Sequence, residues 1–137
     1  MRVSERILFM VFTGQVPQTV LEAFTLFFAL AIGHAFADFP LQSRYLATHK
    51  NRHYQPATGE KYVPGLWVHC MAAHSMIHSG FVWIITGHVG LAVIEAGLHF
   101  TIDSLKCEGK IGFHADQLLH YSCKAGYVII LYNGWLA

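Results

Sequence analysis

Charge is scarce in this chain. Only 12% of its residues are Asp, Glu, Lys or Arg and 54% are hydrophobic, where soluble domains carry about 25% charged residues. So few ionised side chains point to a bilayer rather than water as the main solvent. The formal net charge is +1, so the basic face that a nucleic acid requires is missing and no nucleic-acid partner is expected. Cysteine is sparse as well. Cys70, Cys107 and Cys123 form no CxxC pair, and any bridge would leave an odd thiol, so all three read as small reduced apolar residues. No small-residue cleavage site follows the basic start, so no cleaved leader is expected. Solenoid-period repeats and low-complexity tracts are absent, and 137 residues suffice for one core.

Apolar runs stand in place of charge. Residues 1–16 open with Arg2, Glu5 and Arg6 before Ile7-Leu-Phe-Met-Val-Phe12, too short to span and suited to an interfacial segment. Span-length runs follow over about 17–38, 64–87, 90–106 and 113–135. The first, at 22 residues, would be about 33 Å long as a helix, enough to cross the hydrocarbon. Residues 41–63 form the long polar loop, with a short helix expected over 41–51. The expected fold is therefore all-α and polytopic, with four transmembrane helices in a small bundle spanning residues 17–137.

Metal-ligand residue types recur within those runs at i and i+4: His34/Asp38, His74/His78, His99/Asp103 and Asp116/His120. On a helix each pair faces one way, its members roughly 6 Å apart. The chain has three aspartates, and every one has a histidine four residues away; random placement yields that on the order of 0.3% of the time. In an up-and-down bundle Asp38, the start of the second span, Asp103 and Asp116 fall on the same side. His74 and His78, ten and fourteen residues after Pro64, fit that depth least well. Arg44, Lys50, Arg52, Lys61, Lys106 and Lys110 share this side, against Arg2 and Arg6 on the other, so the site is expected to face the cytoplasm of a bacterial inner membrane.

Intramembrane ionisable groups are costly and mark function. A cation would neutralise carboxylates and imidazole lone pairs together. The eight side chains are enough for two divalent ions, Zn, Mn or Fe, with positions left for water or substrate. The plainer alternative is that the pairs are polar glue between helices. His49/His53 show that the same spacing arises in the polar loop, and His69, His88 and His114 fall off the shared faces. Glu95 extends the His99/Asp103 face by one turn, as a ligand, a partner orienting His99 or a catalytic general base. Gln42 and Gln117 are candidates to hydrogen-bond around the site, and Lys124 to pair with Glu95 or meet an anionic substrate.

The run His34-Ala-Phe-Ala-Asp38-Phe39-x-Leu41-Gln42, the pair His74 and His78, His99-Phe-x-Ile-Asp103-x-x-Lys106 and Asp116-Gln117-x-x-His120 together resemble the small bacterial and phage membrane family known as domain of unknown function 3307. The resemblance extends from about Phe28 to Leu131. The loop at 49–63 and the amino-terminal segment are longer here. More distantly, the ligand arrangement is similar to that of membrane-bound metal-dependent hydrolases.

The expected function is a membrane-embedded, metal-dependent hydrolase of a phosphoester or lipid-linked substrate, with a dinuclear His/Asp site near the cytoplasmic interface and lipid as its surroundings. A di-iron oxidase or hydroxylase ranks lower, because such enzymes use HxxHH clusters. A divalent-metal transporter or sensor would need oligomerisation to alternate access. A non-catalytic subunit of a larger membrane complex would hold the pairs for packing alone.

Overall fold

The computed structural model describes residues 16–59, 61 and 63–136. Regular structure among them is helical throughout: α1 (Val20–Asp38), α2 (Arg44–His49), α3 (Leu66–Thr86), α4 (Val89–Cys107) and α5 (Phe113–Tyr132). The interfacial segment expected at 1–16 lies, apart from Val16, outside the described residues.

Local chemistry explains where each helix starts and stops. Helix α1 begins at Val20 rather than at Pro17 because Thr19 caps it. Thr19 Oγ1 accepts from the Glu22 N–H at 3.2 Å, and Glu22 Oε2 accepts from the Thr19 N–H at 3.2 Å and the Gln18 N–H at 2.7 Å. This reciprocal box satisfies N–H groups at the helix start that have no partner within the helix. Pro40 follows the end of α1. Ser43 caps α2, shorter than the 41–51 helix expected, by accepting from the Leu46 N–H at 3.2 Å. Gly87 closes α3 in the left-handed region at φ 71°, donating to the Trp83 carbonyl at 2.7 Å; the missing Cβ is what lets the chain reverse into α4 after one further residue.

The long helices form a ring. Helix α1 packs on α3, α3 on α4, α4 on α5 and α5 back on α1, while α2 lies against the beginning of α3. The core between them has two storeys. At one end Leu26, Leu30, Val82, Ile85, Leu91, Tyr127, Val128 and Leu131 make an apolar layer. At the other the buried side chains are polar: His34, His74, His78, His99, Asp103, Asp116 and His120. The depth mismatch of His74 and His78 resolves at α3, whose first two turns lie against α2 and the polar segment, so that its third and fourth turns reach the layer of the other pairs.

The outer surface is inverted relative to a water-soluble protein. Phe24 and Phe28 on α1 are 69% and 66% exposed, and Met76 on α3 is 69%, whereas His74 and His99 are 0% exposed and Lys124 1%. Exposed apolar residues occur on all four long helices, more than the isolated patches of soluble monomers. By length and composition α1 and α3 qualify as membrane-crossing helices.

Gly33, one residue before His34, sets how closely α1 meets α3. A Cβ there would stand 3.0 Å from Ile85 Cδ1 and 3.2 Å from Phe81 Cβ. Phe81 Cβ is fixed to its backbone and cannot swing away. Gly33→Leu is expected to overpack this crossing by about 1–3 kcal/mol and to lower the thermal unfolding midpoint in detergent. An unchanged midpoint would mean that the two helices separate freely here.

Candidate metal centre

Each long helix turns its i, i+4 pair toward the middle of the ring, because the apolar side chains between the pairs occupy the outer face. His34 and Asp38 come from α1, His74 and His78 from α3, His99 and Asp103 from α4, and Asp116 and His120 from α5. All eight expected ligand positions meet in one layer, seven of them buried and Asp38 partly so. Three imidazoles stack through its centre: His99 lies 3.6 Å from His78 and 4.1 Å from His120, centroid to centroid, tilted by 22° and 24°. His34 closes the ring side, with its Nδ1 3.2 Å from His78 Nδ1.

The ligand-type atoms gather in three overlapping sets. Asp38, His74, His78 and His99 form one, His34, His99 and His120 another, and Asp103, Asp116 and His120 a third, with the atoms of each set within 4.8 Å of one another. Asp38 Oδ1 lies 3.2 Å from His78 Nε2 and 3.4 Å from His74 Nε2. His120 Nε2 is 3.5 Å from both Asp103 Oδ1 and Asp116 Oδ1. Both ring nitrogens of His74 and of His99, Nε2 of His78 and of His120, and Oδ1 of Asp116 are buried without a well-formed hydrogen bond. Buried polar atoms ordinarily find partners. Unpaired atoms that converge on shared points are the arrangement a cation would satisfy, so the residues fit a metal.

Flanking groups hold the layer on three sides. Gln117 donates to Asp38 Oδ2 at 2.8 Å and to Asp116 Oδ2 at 3.2 Å, tying α1 to α5. Lys106 reaches Asp116 Oδ2 at 2.8 Å, and Lys50, entering from the segment after α2, donates to Asp103 Oδ2. On the inner side Glu95 accepts from Lys124 at 2.6 Å and from the Tyr127 hydroxyl at 2.8 Å, and its Oε1 is 3.3 Å from His99 Nδ1. Glu95 thus stands behind His99, outside the three ligand sets, with both oxygens engaged. Lys124, for which sequence left two roles open, is its ion-pair partner.

A family model described as a protein of unknown function (DUF3307) matches residues 26–135. The chain belongs to this family. The matched stretch contains all eight ligand-type residues together with Glu95, Gln117 and Lys124. No curated protein and no solved structure matches this DUF3307 chain.

Two neighbours of the cluster were not singled out from the sequence. Lys50 lies in the polar loop, where a lysine carries no signal of burial, yet it is 7% exposed. Tyr127 lies three residues after Lys124, and that spacing was the available clue. The remaining histidines stay apart from the layer. His49 stacks on Tyr45 at 4.0 Å, His53 lies 3.0 Å from Glu108 Oε1, His69 and His114 are exposed and His88 is in the α3–α4 turn. Arg52 donates to Glu108 Oε2 at 2.7 Å, so the polar segment is fastened to the end of α4. Desolvation pushes the Glu108 carboxyl up, and the contacts from His53 and Arg52 outweigh it, holding the group below the ordinary carboxylate range.

Proposed function

We propose that this chain is a membrane-embedded divalent-metal protein whose His/Asp layer holds two ions and hydrolyses a phosphoester or other lipid-linked substrate. The observation that carries the reading is the set of buried ring nitrogens and the Asp116 oxygen on α3, α4 and α5 that lack a well-formed hydrogen bond and converge with His34 and Asp38 of α1. Polar glue alone would draw such atoms into well-formed hydrogen bonds, whereas here Nε2 of His74, His78 and His120 stand 3.2–3.5 Å from carboxylate oxygens without forming one, which is costly in a low-dielectric interior. When bound, a pair of Zn, Mn or Fe ions supplies an activated water and polarises the scissile bond.

The chain's own residues supply the rest. Asp38, Asp103 and Asp116 bring three negative charges to the layer. Glu95, held by Lys124 and Tyr127, fixes the orientation of the His99 ring from behind, the usual task of a carboxylate next to a ligating histidine. Gln117 keeps Asp38 and Asp116 apart at a set distance.

Membrane insertion of all four long helices is part of this reading, and where their charges point supports it. Helices α4 and α5 carry Glu95, Asp103, Lys106, Asp116 and Lys124, which lowers their apolarity, but Glu95, Asp103, Asp116 and Lys124 are 0–2% exposed. Charges that face a bundle interior do not oppose spanning. Among the described residues Lys50, Arg52, Lys106 and Lys110 lie at the ligand end, which supports a cytoplasmic orientation in a bacterial inner membrane.

The test uses the purified chain in detergent, loaded with Zn, Mn or Fe and given para-nitrophenyl phosphate and its diester. Metal-dependent release of para-nitrophenol is expected, abolished by a chelator. Asp103→Asn should lower turnover by more than the about 100-fold that changes one layer out from a metal can reach, with helical content retained. Bound metal without turnover of either ester would overturn hydrolysis, and metal uptake into proteoliposomes would then favour transport.

A further inference from the structure

Beside the ligand layer, a cleft of about 340 Å³ opens between the segment after α2, helix α3 and helix α4. That volume lies at the small end of ligand pockets, which run from about 300 to 1,000 Å³. Its lining is of two kinds. Lys50, Arg52 and Lys110 bring three cationic groups, against the single carboxylate of Glu108. Trp67, Met71 and Phe100 bring apolar surface. Thr101, exposed on the outer face of α4, is part of the same wall, so the cleft opens toward the apolar perimeter of the bundle.

Lys50 joins this cleft to the ligand layer. It lines the cleft, and its ammonium donates to Asp103 Oδ2. We infer that the cleft binds the phosphate end of an anionic membrane lipid, with Lys50, Arg52 and Lys110 on the phosphate and Trp67, Met71 and Phe100 on the start of its acyl chain. The inference rests on the metal-site reading for what the phosphate is brought next to. Were Asp103 to hold a divalent ion, the Lys50 ammonium would lose its carboxylate partner and could turn toward the cleft. The substrate phosphate then draws on a cation that the ligand carboxylate no longer needs. Arg52 is paired with Glu108, and its planar fork, suited to phosphate oxygens, would be shared between that carboxylate and the phosphate. Lys110 is exposed and pairs with no described carboxylate, so its charge is available. A soluble phosphate would use the cations alone; the adjoining aromatic and methionine surface is what favours a lipid.

Calorimetric titration of the full chain in detergent tests this, with dihexanoyl phosphatidic acid, dihexanoyl phosphatidylcholine and inorganic phosphate as probes. Metal content is measured on the same samples. Phosphatidic acid should bind at least about tenfold more tightly than either other probe, a difference that loss of one charge-assisted contact accounts for. The double variant Arg52→Gln/Lys110→Gln should lose about that factor. Glu108→Gln, which removes the cleft's carboxylate, should instead tighten binding severalfold, whereas a merely loosened segment would weaken it in both variants. Equal binding of phosphatidylcholine, equal binding of inorganic phosphate, or weakening by Glu108→Gln would overturn the inference. Bound metal with no preference for phosphatidic acid would sink the cleft and leave the metal centre standing. Charge-dependent lipid binding without metal would do the reverse.

Discussion

Reloaded with Zn, Mn or Fe after purification in detergent, the chain retains about two ions per polypeptide, and the two ligand variants lose them unequally. His99→Ala is expected to abolish most of the bound metal, because His99 belongs to two of the three ligand sets and sits in the middle of the imidazole stack. Asp116 belongs to one set, so Asp116→Ala should remove about one ion and leave the other. Elemental analysis of the three proteins reads this directly. A chelator should also lower thermal stability, since an ion at a hundred times its Kd contributes about 2.7 kcal/mol. The identity of the retained metal ranks hydrolase against oxidase chemistry. Absence of stoichiometric metal after reloading would sink both and leave the eight side chains as helix-packing groups.

Lys124→Met should destabilise the protein by about 3–5 kcal/mol, the cost of leaving a buried charge without its partner. Lys124 and Glu95 are each 1% exposed, and among the described residues the other contacts of the carboxylate are the neutral Tyr127 hydroxyl at 2.8 Å and His99 Nδ1 at 3.3 Å. The double change Glu95→Gln/Lys124→Met removes both charges and should recover most of that loss, because a buried ion pair gains little over neutral groups of similar volume. Thermal unfolding of the parent, the single variants Lys124→Met and Glu95→Gln, and the double variant, followed by circular dichroism, closes the cycle. A Lys124→Met protein as stable as the parent would show that water reaches Glu95. Glu95→Gln carries a second readout. If Glu95 orients His99 through the 3.3 Å contact to Nδ1, this variant should bind metal about ten- to a hundredfold more weakly, an effect that loss of packing alone would not focus on the metal.

Much of the ligand layer was legible because helical periodicity is local. Residues four apart on a helix must share a face whatever surrounds them, so His34/Asp38, His74/His78, His99/Asp103 and Asp116/His120 could be paired before any tertiary contact was known. Helix ends were nearly as plain, marked by Pro40, Gly87 and the break Cys107-Glu-Gly-Lys-Ile-Gly112 between α4 and α5, each of which acts on its own neighbours. The start of α1 moved from Pro17 to Val20 because a side-chain cap at Thr19 outweighs the proline three residues before the helix.

Relations between helices were not in that local code. Periodicity places His99 on a face, but whether His78, His120 or His34 stacks against it depends on the ring order α1–α3–α4–α5 and on how closely Gly33 lets α1 meet α3. Glu95 read from sequence alone had three candidate roles, and the approach of Lys124 and Tyr127 from another helix is what engages both its oxygens. Lys50 is the extreme case: it belongs to a segment with no hydrophobic period, and only the folding of that segment back over α4 carries its ammonium to Asp103. Sequence by itself determined which residues each helix turns inward, since that follows from backbone geometry within a single helix. Tertiary structure decided which of those residues touch, because contact between helices depends on packing distances and connections that no single helix encodes.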